Sequence, residues 1–222
     1  MRHKQDLVAL FDGYASTGDV EVLIGYLLTH SNLPGRRANL ELAGAFGDLV
    51  AERTAGGTTG LWHLCVELAA ISAVKAPVNS PEEFLPFCGA LGFGAIGSVS
   101  PRTADEALAV LRKLANDPRW RTREAVRSGL QRMLTARASD TLRALYTWVD
   151  TGDCLQMRAA AAAVAEPALL RDEGMARSAL ELHRQVFGHV MVEAERRSEP
   201  FRTLRKALGY TLSVVVQALP EE

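Results

Sequence analysis

The stretch DPRWRTREAVRSGLQRML, Asp117–Leu134, places five arginines and a tryptophan in a chain whose 25 basic and 26 acidic residues nearly cancel. Its apolar spacing is helical. At 100° per residue, Thr122, Val126, Gly129, Leu130 and Met133 fall on one side and form a core stripe. Trp120 falls on the opposite face with Glu124, Arg127 and Gln131, while Arg121, Ser128 and Arg132 make an adjacent row and Arg123 lies at the edge of the core. Such a helix cannot bury its stripe alone, so the segment predicts a fold of packed helices.

Outward from this stretch the apolar spacing stays helical and nowhere alternates with period two, which predicts an all-α chain. Helices are expected near 19–30, 36–54, 60–75, 81–92, 103–116, 118–136, 140–150, 154–165, 172–194 and 200–219. Their starts carry local signals. Thr103 with Glu106 has the spacing of a capping box, Asp117 precedes Pro118, Ser139 or Asp140 can cap the next segment, and Asp153 the one after.

Asp117 and Asp153 are 36 residues apart, as are Thr103 and Ser139, a spacing close to that of two-helix repeats. DPRWRTREAVRSGL aligns without gaps on EPFRTLRKALGYTL, setting Pro118 over Pro200, Arg123 over Arg205, Ala125 over Ala207 and Leu130 over Leu212. This acid, arginine, small-residue pattern resembles the HEAT repeat family. The resemblance implies a right-handed α-α superhelix, a HEAT/ARM-like solenoid of antiparallel helix pairs, spanning 1–222 as a single domain with divergent N-terminal helices over 1–98 and HEAT-like pairs over 103–222. It also implies that some of the arginines pack along the stack.

Composition excludes several function classes. With 48% hydrophobic residues over 222 positions a continuous core is expected, and near-neutrality leaves no global field to draw the molecule to nucleic acid or membrane. Cys65, Cys88 and Cys154 form no CxxC pattern, which fits neither a disulfide framework nor a cysteine zinc site and points to a cytoplasmic location. The first residues, MRHKQDLVALFDGY, lack the pattern of a secretory signal. Phe84–Pro101 has the length of a membrane span but carries Pro86 and four glycines, and reads as a buried helix running into a loop.

Gly92, Gly94 and Gly97 match G-x-G-x-x-G, but Pro86 lies upstream and SVSPRT follows, so a glycine-rich helix end is expected instead of a dinucleotide site. His183, His189 and Glu193 share one helix. His189 and Glu193 share a face at i,i+4, two donors that are too few for a metal, and all three read as solvated or half-buried polar residues. No Gly-x-Ser-x-Gly elbow is present, and no metal or other cofactor is implied. The alanine run 159–163 reads as a site of close helix packing.

Charge is nevertheless segregated. Between Pro101 and Leu145 there are ten basic residues against five acidic, leaving 15 against 21 elsewhere. On the last helix Tyr210 points away from a core of Phe201, Leu204, Leu208, Leu212, Val215 and Leu219, in company with Lys206 and Gln217. The arginine cluster can be a solvated face and the two rings can pack against a neighbouring helix, or together they make a surface where rings stack on bases and arginines meet phosphates.

The segment RWRTRE further resembles the AlkD family of HEAT-like DNA glycosylases, as do LQMRAAAAA and LRKALGYTL. The resemblance implies that Trp120 and Tyr210 wall an alkylated base, that Arg158 holds the DNA, and that Glu124 stands at the catalytic carboxylate, where it would stabilise a developing sugar cation. Glutamate in place of aspartate, tyrosine in place of tryptophan, and Arg119 in place of one tryptophan mark a divergent member. The expected function is a scaffold that binds DNA through a concave basic groove formed by Trp120, Arg121, Arg127, Arg158, Lys206 and Tyr210, with little or no catalysis. The alternatives are an alkylpurine glycosylase using Glu124 and an adaptor holding a protein partner.

Overall fold

In a computed structural model describing residues 2–193 and 195–219, the described residues form α-helices and two 3-10 turns, with no strand. The chain makes two compact units, Met1–Gly129 and Leu130–Glu222.

The first unit contains α1 (Arg2–Thr17), α2 (Glu21–Thr29), α3 (Leu40–Ala55), α4 (Leu61–Ala69), α5 (Phe84–Val99), α6 (Ala104–Leu114) and the opening turns of α7 (Trp120–Ala136). Its axis is α5, buried from Phe84 to Gly97 and packed against α2, α3, α4 and α6. The expected helix end at residue 92 is corrected here, because the helix runs on through the glycines to Val99. Each mid-helix glycine costs about 1 kcal/mol in isolation, but these allow close approach. A Cβ at Gly89 would lie 2.6 Å from the Ala69 nitrogen, one at Gly92 would strike Cys65 Sγ, and one at Gly94 would strike the backbone of Gly129. Helix α1 was not among the expected helices. Only Leu7 and Phe11 of it are fully buried, a stripe too narrow to read, and Phe11 meets Phe46 of α3 edge-on with ring centroids 5.5 Å apart.

The second unit contains the rest of α7, α8 (Ala138–Thr151), α9 (Cys154–Val164), α10 (Glu173–Val192) and α11 (Glu199–Ala218). The alanine run makes α9 its buried centre, packed against α8, α10 and α11. Small side chains let three helices crowd one.

Helix starts follow the sequence in part. Asp153 caps α9 by accepting from the Leu155 and Gln156 amides, and Asp172 and Ser198 cap α10 and α11. Two expected caps are corrected. Thr103 precedes α6 with φ −113° and ψ 4°, outside the extended conformation that aims a capping hydroxyl, and its Oγ1 accepts no cap hydrogen bond. Helix α8 begins at Ala138, so Ser139 and Asp140 lie inside its first turn, where Asp140 pairs with Arg137 at 2.7 Å and Arg143 at 2.6 Å. Among the described residues no helix is long and apolar enough to cross a membrane.

Candidate functional site

The head of α7 is built by arginines that fold inward. Asp117 accepts the Arg119 amide at 2.7 Å and the Arg119 guanidinium at 2.8 and 2.6 Å, and Arg119 Nη1 donates onward to the Ile71 carbonyl at 2.9 Å. Arg121 Nη1 meets Glu83 Oε2 at 2.8 Å, with both side chains buried, while Nη2 donates to the Gly35 carbonyl at 2.8 Å and to Asn79 Oδ1 at 3.3 Å. Asn79, at φ +68°, turns that Oδ1 toward the Gly35 amide and gives its own amide to Glu83 Oε2. Arg123 donates to the carbonyls of Asp117 and Pro118. Three of the five arginines of the stretch are thus internal. The expectation that Arg121 faces a groove is corrected: the turn 79–83 and the loop at Gly35 cover it, and its two terminal nitrogens are engaged there.

The far face lies where the helical wheel sets it. Trp120 is 47% exposed, and Glu124, Arg127 and Gln131 are half-buried beside it. The Arg121 guanidinium carbon stands 4.5 Å from the Trp120 ring centroid, so a charge fixed in the interior braces one side of the indole. Glu124 Oε2 pairs with Arg127 Nε at 3.0 Å, one turn along the same face.

The same network positions cations that the sequence reading missed. Arg36 and Arg37 follow Gly35, whose carbonyl holds Arg121, and Lys75 precedes Ala76, whose carbonyl accepts from Arg119 at 3.4 Å. All three side chains are exposed and make no ion pair among the described residues. The paired arginines after the turn NLPG were the available signal; their closeness to Trp120 needs the Arg121 bridge, made across 86 residues of sequence.

The remaining candidates belong to the second unit. Arg158 on α9 is buried, with only 8% of its surface exposed, whereas Lys206 and Tyr210 are exposed one turn apart on α11, Tyr210 by 49%. His183 is fully buried, which corrects the expectation of a solvated or half-buried residue. Its Nδ1 lies 2.8 Å from the Ala179 carbonyl, which can only accept, so Nδ1 carries the proton and Nε2 accepts from the Thr211 hydroxyl at 2.9 Å.

Burial holds the His183 pKa below its usual 6.5, against the opposing pull of the Ala179 hydrogen bond. The folded state therefore binds its proton less tightly than the unfolded chain. His183 contributes stability that is complete above pH 6.5 and is lost as the pH falls from there through the lowered folded value. The expected slope in that window is at most about 1.4 kcal/mol per pH unit. Thermal unfolding of the wild type and His183→Gln should show the wild type losing more of its stability than the variant between pH 7 and 5; parallel curves would exclude His183 as the cause.

Burial pushes the Cys65 thiol up to about 12 and the Cys88 thiol well above its usual value, and Cys154 is raised first by burial and then by Glu193 and Asp153. A reactive thiolate needs the opposite shift. Gly92, Gly94 and Gly97 lie within a helix that begins at Phe84, so no helix N-terminus stands beside them to meet a pyrophosphate. Among the described residues no group of three or more His, Cys, Asp or Glu is placed to hold a metal ion. Compared with sequence profiles of protein families, with curated proteins and with solved structures, the chain matches none.

Proposed function

We propose that this chain is a HEAT-like helical scaffold that binds DNA at the head of α7, with Trp120 as the stacking platform. The repeat architecture, a right-handed superhelix of helix pairs, rests on the acid, arginine, small-residue pattern and on pairs such as α8 and α9, joined by only Gly152 and Asp153. The observation that carries the binding reading is the half-exposed indole of Trp120, braced by the buried Arg121, which also holds the loop bearing Arg36 and Arg37, while the neighbouring Arg119 holds the loop bearing Lys75. An indole held on one side and open on the other offers its π-face to any base, and unpaired loop cations suit phosphates. In this reading Arg119, Arg121, Arg123 and Arg158 are structural, and Arg127 is oriented by Glu124, which acts as its ion-pair partner instead of as a catalytic carboxylate. Lys206 and Tyr210 offer a second cation and aromatic pair on α11.

Fluorescence anisotropy of labelled single-stranded and duplex DNA at low and moderate salt tests the proposal. Trp120→Ala should weaken binding to the single strand by about 1–3 kcal/mol, or roughly 5- to 150-fold. Joint replacement of Arg36 and Arg37 by glutamine should flatten the logarithmic salt dependence by about 0.7 per lost phosphate contact. Absence of binding at low salt, or unchanged affinity in Trp120→Ala, would overturn it. Release of free alkylated base that disappears in Glu124→Gln would return the carboxylate to a catalytic role.

A further inference from the structure

Helices α10 and α11 leave between them an open groove of about 430 Å³ whose floor is Phe187, Val190, Leu208, Gly209, Leu212 and Val216. Of these Val216 is 44% exposed, and Met191, which follows Val190 on α10, is 70% exposed. This apolar ground extends from Arg205 to Val216, about three helical turns or roughly 16 Å. Single exposed apolar side chains need no explanation, but a contiguous strip in a concave site is a binding feature.

Two further features define what fits. Gly209 lies mid-helix, and a Cβ built on it would meet nothing within 4 Å, so the floor stays open to close approach from outside. Arg202, Arg205 and Lys206 succeed one another on the α11 side of the groove, exposed and without an ion pair among the described residues. On the α10 side the floor residue Val190 also borders Glu193, whose carboxylate lies 3.8 Å from Cys154 Sγ and accepts the Glu195 amide at 2.8 Å. The groove thus combines an apolar floor of helical length with a basic edge along α11, where Arg205 lines it.

We propose that the α10–α11 groove docks an amphipathic helix of a partner protein, its apolar stripe on Leu212, Phe187 and Val216 and its acidic flank against Arg202, Arg205 and Lys206. Helix-in-groove recognition uses apolar anchors at i, i+3, i+4 and i+7, and a basic rim sets which flank is accepted. A second copy of this chain would bring Arg202, Arg205 and Lys206 of its own to the contact. The docking site uses none of the residues at the head of α7 and shares only Lys206 with the DNA reading, so its test reverses Arg202 and Arg205 and leaves Lys206 in place.

The test uses the full chain and two labelled synthetic helices of about 18 residues, sharing one leucine stripe and flanked either by glutamates or by lysines. Anisotropy should show the glutamate helix binding at least about tenfold more tightly than the lysine helix. Gly209→Gln, which fills open space without touching the core, should weaken the glutamate helix by about tenfold or more. Joint reversal of Arg202 and Arg205 to glutamate should invert the preference, a result that misfolding cannot produce. Equal binding of both helices, or binding of neither, would overturn the proposal. So would a dimer in analytical ultracentrifugation that Gly209→Gln disperses, which would assign the groove to a second copy.

Discussion

Glu83→Ala is expected to destabilise the protein by about 3–5 kcal/mol, because it leaves the Arg121 guanidinium buried without a counter-charge. The pair is deeply placed, with 5% of the Arg121 side chain and none of the Glu83 side chain exposed, so solvent screens it little. Glu83 Oε2 also accepts the Asn79 amide at 2.6 Å, and that donor is orphaned at the same time. Replacing both partners by apolar residues of similar size, Glu83→Leu with Arg121→Met, removes the buried charge instead of stranding it. The double variant should therefore be less destabilised than Glu83→Ala alone, with the remaining loss set by the freed Gly35 carbonyl and Asn79 amide. Urea denaturation of the wild type and both variants decides the matter. A single variant that costs less than about 1 kcal/mol would place the pair among weak surface bridges and remove the brace from under Trp120.

Gly94→Ala should cost about 1–3 kcal/mol despite the higher helix propensity of alanine, because the new methyl would overlap the backbone of Gly129, which no rotamer change can move aside. The reciprocal change is milder. A Cβ at Gly129 meets the Ala90 carbonyl oxygen and the Gly94 Cα at 3.3 Å each, so Gly129→Ala requires a shift of only a few tenths of an ångström. Gly209→Ala is expected to have the opposite sign, a gain of roughly 0.5–1 kcal/mol, since its Cβ enters open space and the helix loses a flexible residue. Thermal denaturation of the three variants should rank them Gly209→Ala above wild type, then Gly129→Ala, then Gly94→Ala. Equal effects at Gly94 and Gly209 would mean that the α5–α7 approach does not set the cost.

Within α7 the wheel read from the sequence sorted most side chains by face. Thr122, Val126, Gly129, Leu130 and Met133 are buried, and Trp120 is open. It failed for Arg121, which it set in an outward row, because periodicity on one helix is blind to a turn folded over that helix from 38 residues upstream. On α11 the core residues Phe201, Leu204, Leu208, Val215 and Leu219 are buried, but Leu212 is half-buried because it faces the groove with α10. Thr211 was not counted as core, yet it is buried as the partner of His183. In the candidate site Trp120 was legible as an off-core aromatic. Arg36, Arg37 and Lys75 were not, since their loops are held to the head of α7 through carbonyls that Arg119 and Arg121 reach across the sequence.

That this chain is helical, roughly where most helices run, and that Asp153 begins α9 are legible in the order of its residues, because hydrophobic period and capping act within a few residues. Tertiary structure decided the rest. It carried α5 through its glycines, turned three arginines inward and left the α10–α11 groove open. Those outcomes depend on which distant backbone or charge arrives beside a residue, and free energies of burial, close contact and ion pairing belong to that encounter and not to the local order of the chain.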